Sequence, residues 1–98
     1  MQIKFSKWDC KVVFLKYGNG RTAIELVDTE PPYFESITVA SVNLPDEPMK
    51  EDEIAIKNYS ENEGILDVLV NAKIVSAPVR YADSGFVTIP ICKLLIKQ

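Results

Sequence analysis

The chain has no histidine. That removes the side chain most often used as general base and metal ligand, and with it every Ser–His–Asp or Cys–His arrangement. Cysteine is scarce. Cys10 and Cys92 stand far apart and form no C-x-x-C, so neither a zinc ribbon nor a dithiol redox site is in prospect. Each lies in an apolar, strand-like context, and the expectation is two buried thiols rather than a disulfide joining the terminal strands. The four glycines make neither a G-x-x-x-x-G-K-[ST] loop nor a G-x-G-x-x-G fingerprint. Gly18-Asn19-Gly20 lies between two apolar runs of strand character and reads as turn chemistry rather than as a phosphate loop. No apolar run approaches the ~18 residues of a membrane span. Residues 1–8 carry no signal-peptide hydrophobic segment. A cytoplasmic location without a membrane partner is therefore expected.

What is present suffices for a core. With 98 residues, 47% of them hydrophobic, one domain over 1–98 is expected. Trp8, Cys10, Val12 and Phe14 fall on one parity and Val13, Leu15 and Tyr17 on the other, the pattern of a strand covered on both faces. By parity Trp8 and Phe14 belong with the core. Gly18-Asn19-Gly20 returns the chain through residues 22–27, so 8–28 reads as a β-hairpin. Asp28-Thr29-Glu30-Pro31-Pro32 breaks the pattern, because proline lacks the amide donor. Residues 36–42 form a third strand and 54–57 a fourth. Val79-Arg80-Tyr81 can pair with Phe86-Val87-Thr88, and residues 91–96 complete the last strand region. Pro90 interrupts that region, which suggests an edge position or a bulge. One helix follows Ser60. Ser60 and Glu63 fit the S-x-x-E capping box, and Ile65, Leu66, Leu69 and Val70 form an apolar stripe at the 3.6-residue period. The architecture expected is α+β: an antiparallel β-sheet of five to six strands, built from meanders and hairpins, with one amphipathic α-helix packed on one face.

Net charge is −3, but its distribution is uneven. Residues 1–21 hold Lys4, Lys7, Lys11, Lys16 and Arg21 against Asp9 alone. Residues 44–63 hold Asp46, Glu47, Glu51, Asp52, Glu53, Glu61 and Glu63 against Lys50 and Lys57. Such asymmetry can steer association with a protein partner. The acidic loop matches no EF-hand spacing, so no metal and no cofactor are expected. The basic residues lie near Phe5, Trp8, Phe14 and Tyr17, a mixture used by single-stranded nucleic-acid binders. The acidic balance of the whole chain argues against nucleic acid. Asn58, Tyr59 and Asn62 are not required by the capping box. With Asp46, Glu47, Glu51, Asp52 and Glu53 they form the candidate partner-binding surface. No catalytic set is assembled.

Four segments carry a resemblance: Tyr17-Gly18-Asn19-Gly20-Arg21-Thr22-Ala23-Ile24, Val42-Asn43-Leu44-Pro45-Asp46, Lys57-Asn58-Tyr59-Ser60-Glu61-Asn62-Glu63-Gly64 and Ile89-Pro90-Ile91-Cys92. In them the chain resembles a family of small bacterial proteins of unknown function, often carried by phages and conjugative elements. The resemblance implies a small accessory protein of a mobile element, of the kind that inhibits a host-defence or regulatory protein. It supplies no catalytic residues. The expectation is thus a non-enzymatic protein-interaction module with a protein partner and scope for homodimerisation. The alternatives are an oligomeric, sponge-type binder of a small ligand or nucleotide, and a single-stranded nucleic-acid binder.

Overall fold

The computed structural model describes residues 1–30 and 35–96; the break at Pro31-Pro32 lies outside the described residues. Its fold is α+β, with two antiparallel sheets and one short helix. The first sheet is a meander in the order β1 (Gln2–Phe5), β2 (Trp8–Lys16), β3 (Thr22–Asp28), β4 (Ser36–Val39). The second contains β5 (Glu53–Ala55), β6 (Arg80–Ser84) and β7 (Val87–Lys93), with β7 between β5 and β6.

The β2–β3 hairpin forms as expected, in register from Cys10 opposite Asp28 to Lys16 opposite Thr22. Its tip closes with Gly20 N donating to Tyr17 O (2.9 Å), and Gly20 sits at φ 85°, the left-handed region that glycine enters without steric cost. A second hairpin, β1–β2, turns through Ser6 and Lys7, with Ser6 at φ 57°.

The expected single sheet divides at Ser41. Ala40 N still donates to Ile24 O (2.8 Å), but Ala40 O turns away and accepts from Lys57 N (2.8 Å). The Ser41 hydroxyl replaces that lost acceptor by taking the Ile24 N–H at 3.0 Å, and it shares a hydrogen bond with the Tyr17 hydroxyl at 2.8 Å. Residues 41 and 42 then run beside β5, through the Ser41–Ile56 bridge and the bond from Val42 N to Ala55 O.

Two cores follow from this bend. In the larger, Cys10, Val12, Ile24 and Leu26 of the first sheet meet Ile54, Ile56 and Cys92 of the second region, and Ile65, Leu69 and Ile74 close it. The smaller lies on the other face of the second sheet, where Ala55, Ala82, Ile89 and Ile91 are covered by Val42, Leu44, Met49 and Tyr59. The strands buried on both faces are therefore β5 and β7, not β2. On β2 the outer face is open, Leu15 is exposed, and Trp8 is 38% exposed with the Lys7 ammonium 5.1 Å from its ring centroid. Both cysteines are free and buried. Burial raises the Cys10 thiol and pushes Cys92 up to about 11, so neither is a thiolate at neutral pH.

Pro90 sits inside the central strand β7, not at an edge. Its carbonyl accepts from Ile56 N at 3.0 Å, so the N–H that proline lacks would have faced Ile56, one residue past the end of β5. The ladder loses nothing inside β5 or β6.

The helix α1 (Ile65–Asn71) carries the whole apolar stripe but starts later than a cap at Ser60 would place it, and its cap is different. Ser60 opens a separate 3₁₀ turn, Ser60–Asn62, at φ 58°. The Ser60–Glu63 contact is a backbone bond, from Glu63 N to Ser60 O. The residue that satisfies the free amides is Asn58, whose Oδ1 accepts from Gly64 N (3.2 Å) and Leu66 N (2.9 Å). Gly64, at φ 93°, starts the helix, because only glycine takes that conformation readily.

Candidate functional site

Two surfaces compete for attention. The first is the acidic loop, residues 44–53, which lies over the smaller core. Two β-turns shape it, closed by Glu47 N to Leu44 O and by Glu53 N to Lys50 O, each 3.0 Å. Two arginines hold it. Arg21, just past the β2–β3 turn, donates from Nη1 to Leu44 O and to Met49 Sδ, and from Nη2 to Glu47 O (2.7 Å). Arg80, the first residue of β6, pairs with Glu47 Oε2 at 2.9 Å and Glu53 Oε1 at 3.1 Å, and donates to Pro48 O at 2.7 Å. The Glu53 side chain is only 7% exposed. The Lys50 amide that donates to its carboxylate, and then Arg80, hold its pKa below the ordinary carboxylate value.

The eight candidate residues therefore separate. Glu47 and Glu53 are engaged by Arg80. Asn58 caps α1. Asn62 is fully buried rather than on the surface: its Nδ2 donates to Val39 O at 2.8 Å and its Oδ1 accepts from Thr38 Oγ1. It thereby closes the outer edge of β4, a structural task. Tyr59 is half-buried in the smaller core, with Lys57 5.7 Å from its ring centroid, and faces a groove of about 520 Å³ over β4. Asp46, Glu51 and Asp52 are exposed, and none is in an ion pair among the described residues. The basic–aromatic mixture also disperses. Phe5 is buried and Phe14 packs against the larger core, so neither offers a stacking platform. Among the described residues no group of three or more Cys, Asp or Glu side chains is placed to hold a metal.

The second surface went unnoticed in the sequence. The β6–β7 hairpin closes on a two-residue turn, Gly85-Phe86, between the paired Ser84 and Val87. Gly85 takes φ 61°, which the first position of such a turn requires. Nothing in the turn requires an aromatic at the second position, yet Phe86 is there and fully exposed. Tyr81 on the same hairpin is 62% exposed and Val79 is also exposed. β6 is the outer strand of its sheet. Pro90 directs its carbonyl to Ile56, so Tyr81, opposite Pro90, exchanges no ladder bond with it. The N–H and C=O of Tyr81, and of Asp83 two residues on, therefore point away from the sheet. The signal available in the sequence was Gly85 itself, since a glycine in a two-residue turn puts its neighbour at the tip.

No helix among the described residues is long and apolar enough to cross a membrane. Comparison with protein-family models, with curated proteins and with solved structures returns no match.

Proposed function

We propose that this chain is a non-enzymatic protein-interaction module that docks through the β6–β7 hairpin. The observation that carries this reading is Phe86, a phenylalanine fully exposed on a turn that has no use for it. A large aromatic side chain left in water forgoes roughly 2 kcal/mol of burial that a partner can recover. Aromatic anchors flanked by tolerant contacts are the usual centre of a protein interface. The outer edge of β6 adds backbone donors and acceptors at Tyr81 and Asp83, suited to a partner strand. The partner inferred is a protein with an exposed strand edge beside an apolar pocket that admits Phe86. An accessory protein of a mobile element that inhibits a host protein is consistent with this surface.

The test is affinity capture with wild type, Tyr81→Ser and Phe86→Ser, together with sedimentation of each. One protein should be recovered in stoichiometric amount by the wild type and lost by both variants, while their thermal unfolding stays unchanged. Concentration-dependent dimerisation abolished by the same variants would identify that partner as a second copy. Equal recovery by all three chains would remove the hairpin from the proposal.

A further inference from the structure

We propose that the cleft between the β2–β3 turn and residues 49–53 is an oxyanion site that takes phosphate or a phosphate ester on Arg21. The cleft has a volume of about 440 Å³, and its walls include Lys16, Arg21 and Lys50, with Glu51 and Glu53. A guanidinium has five N–H donors in a planar fork. Three are engaged, by Leu44 O and Met49 Sδ on Nη1 and by Glu47 O on Nη2. The other two, the Nε–H and one Nη2–H, have no acceptor among the described residues. A guanidinium that offers an Nε–H and an Nη–H together receives two oxygens of an oxyanion.

Charge supports the same occupant. The partners of Arg21 are two carbonyls and a thioether, so its positive charge meets no carboxylate among the described residues. Lys16 donates to a neutral hydroxyl, Thr22 Oγ1, at 3.1 Å. Lys50 takes part in no ion pair among the described residues. Of the two acidic residues, Glu53 is occupied by Arg80 and by the Lys50 amide. Only Glu51, exposed, opposes an anion. Three cations around one open fork match a phosphoryl dianion better than a monovalent ion. The fork is held in place without the ligand, because the end-on nitrogens are anchored to the 44–47 turn.

The site shares no residue with the β6–β7 hairpin, so either proposal can fail alone. The experiment is NMR titration with inorganic phosphate, with a nucleoside 5′-monophosphate, and with chloride at matched ionic strength. The Arg21 Nε–H and the amides of 19–22 and 50–53 should shift saturably with phosphate or the ester and not with chloride. Equal affinity for the two would mean that the phosphoryl group alone is read. Tighter binding of the ester would place its remainder in the rest of the cleft. Arg21→Lys keeps the charge and loses the fork, and should weaken binding about tenfold. Because Arg21 also holds the loop, Lys50→Gln and Glu51→Gln serve as variants that leave the arginine anchors intact. The first should weaken binding and the second strengthen it, each by roughly threefold. The absence of a saturable shift, an equal response to chloride, or indifference to Lys50→Gln and Glu51→Gln would each overturn the proposal.

Discussion

The acidic loop covers the sheet to which the β6–β7 hairpin belongs, and the two use their side chains in opposite ways. In the loop, two of the five carboxylates that looked available for a partner are turned inward, while Asp46, Glu51 and Asp52 stay exposed. Glu47 and Glu53 meet Arg80, and backbone carbonyls of residues 44, 47 and 48 meet Arg21 and Arg80. The loop covers Ile89 and Ile91 through Leu44 and Met49, so its charge serves to hold a lid over a core. In the hairpin, a short turn needs only Gly85, yet an aromatic is exposed beside it. Charge density did not by itself separate the free carboxylates from the engaged ones, because Glu47 and Glu53 meet an internal partner. Two exposed aromatics on one short hairpin, Tyr81 and Phe86, make the sharper guide.

The largest expected effect breaks the comparison if it fails. The double variant Tyr81→Ser/Phe86→Ser should lose at least about 3 kcal/mol of partner affinity, more than a hundredfold. Its stability should stay within about 0.5 kcal/mol of wild type, because both side chains are exposed. Affinity by calorimetry and thermal unfolding on the same samples decide this. A large drop in stability would mean that the hairpin aromatics belong to the fold after all. Arg80→Ala should do the reverse. It leaves the Glu53 carboxylate without its cation and frees the loop, so Tm should fall by several degrees, roughly 10 °C at most. Glu51→Gln/Asp52→Asn, on the same loop but exposed, should change Tm by no more than roughly 3 °C. Thermal unfolding of the two variants side by side separates the anchored carboxylates from the free ones.

A third effect of about 1 kcal/mol concerns the helix cap, and it shows where the sequence could and could not be read. Asn58→Ala should cost that amount, while Ser60→Ala should stay within about 0.5 kcal/mol, both read from urea unfolding. The capping box was a sound template, but the amides of the first turn that are capped are those of Gly64 and Leu66, and Asn58 reaches them from six and eight positions away, outside any local motif. The β2–β3 hairpin was legible because alternation and Gly18-Asn19-Gly20 agree. The β1–β2 turn was not, since Ser6 and Lys7 carry no turn signal and Ser6 reaches positive φ under the pairing of Phe5 with Trp8. Division into two sheets depends on Ser41 taking the Ile24 amide, a contact across 17 residues. The acidity of the loop was plain, whereas its arginines come from 26 and 33 positions away from Glu47. Of the two surfaces, composition pointed to the loop and turn geometry to the hairpin.

The smallest effect separates the regions by acid. Glu53 and Glu61 both have pKa values below the ordinary 4.5, and the Lys57 ammonium holds Glu61 at about 2. A depressed folded-state pKa gives stability that is present above the unfolded value and lost as pH falls through the folded one. The Lys57–Glu61 pair is exposed and is screened by salt, so its share should be slight and should vanish at high ionic strength. Glu53 is nearly buried and should respond to acid at any salt. As pH drops below 4.5 and through the lowered pKa of Glu53, protonation removes its charge and weakens the bonds that its Oε1 accepts from the Lys50 amide and from Arg80. Hydrogen exchange at the amides of Glu47 and Glu53 should then rise, while the amides of Ala82 and Ile89 in the β6–β7 ladder stay protected. If both sets quicken together, the loop is not an independent lid and the contrast between the two surfaces collapses. If the loop opens first and partner affinity at the hairpin persists, the two surfaces are energetically separate, as their construction implies.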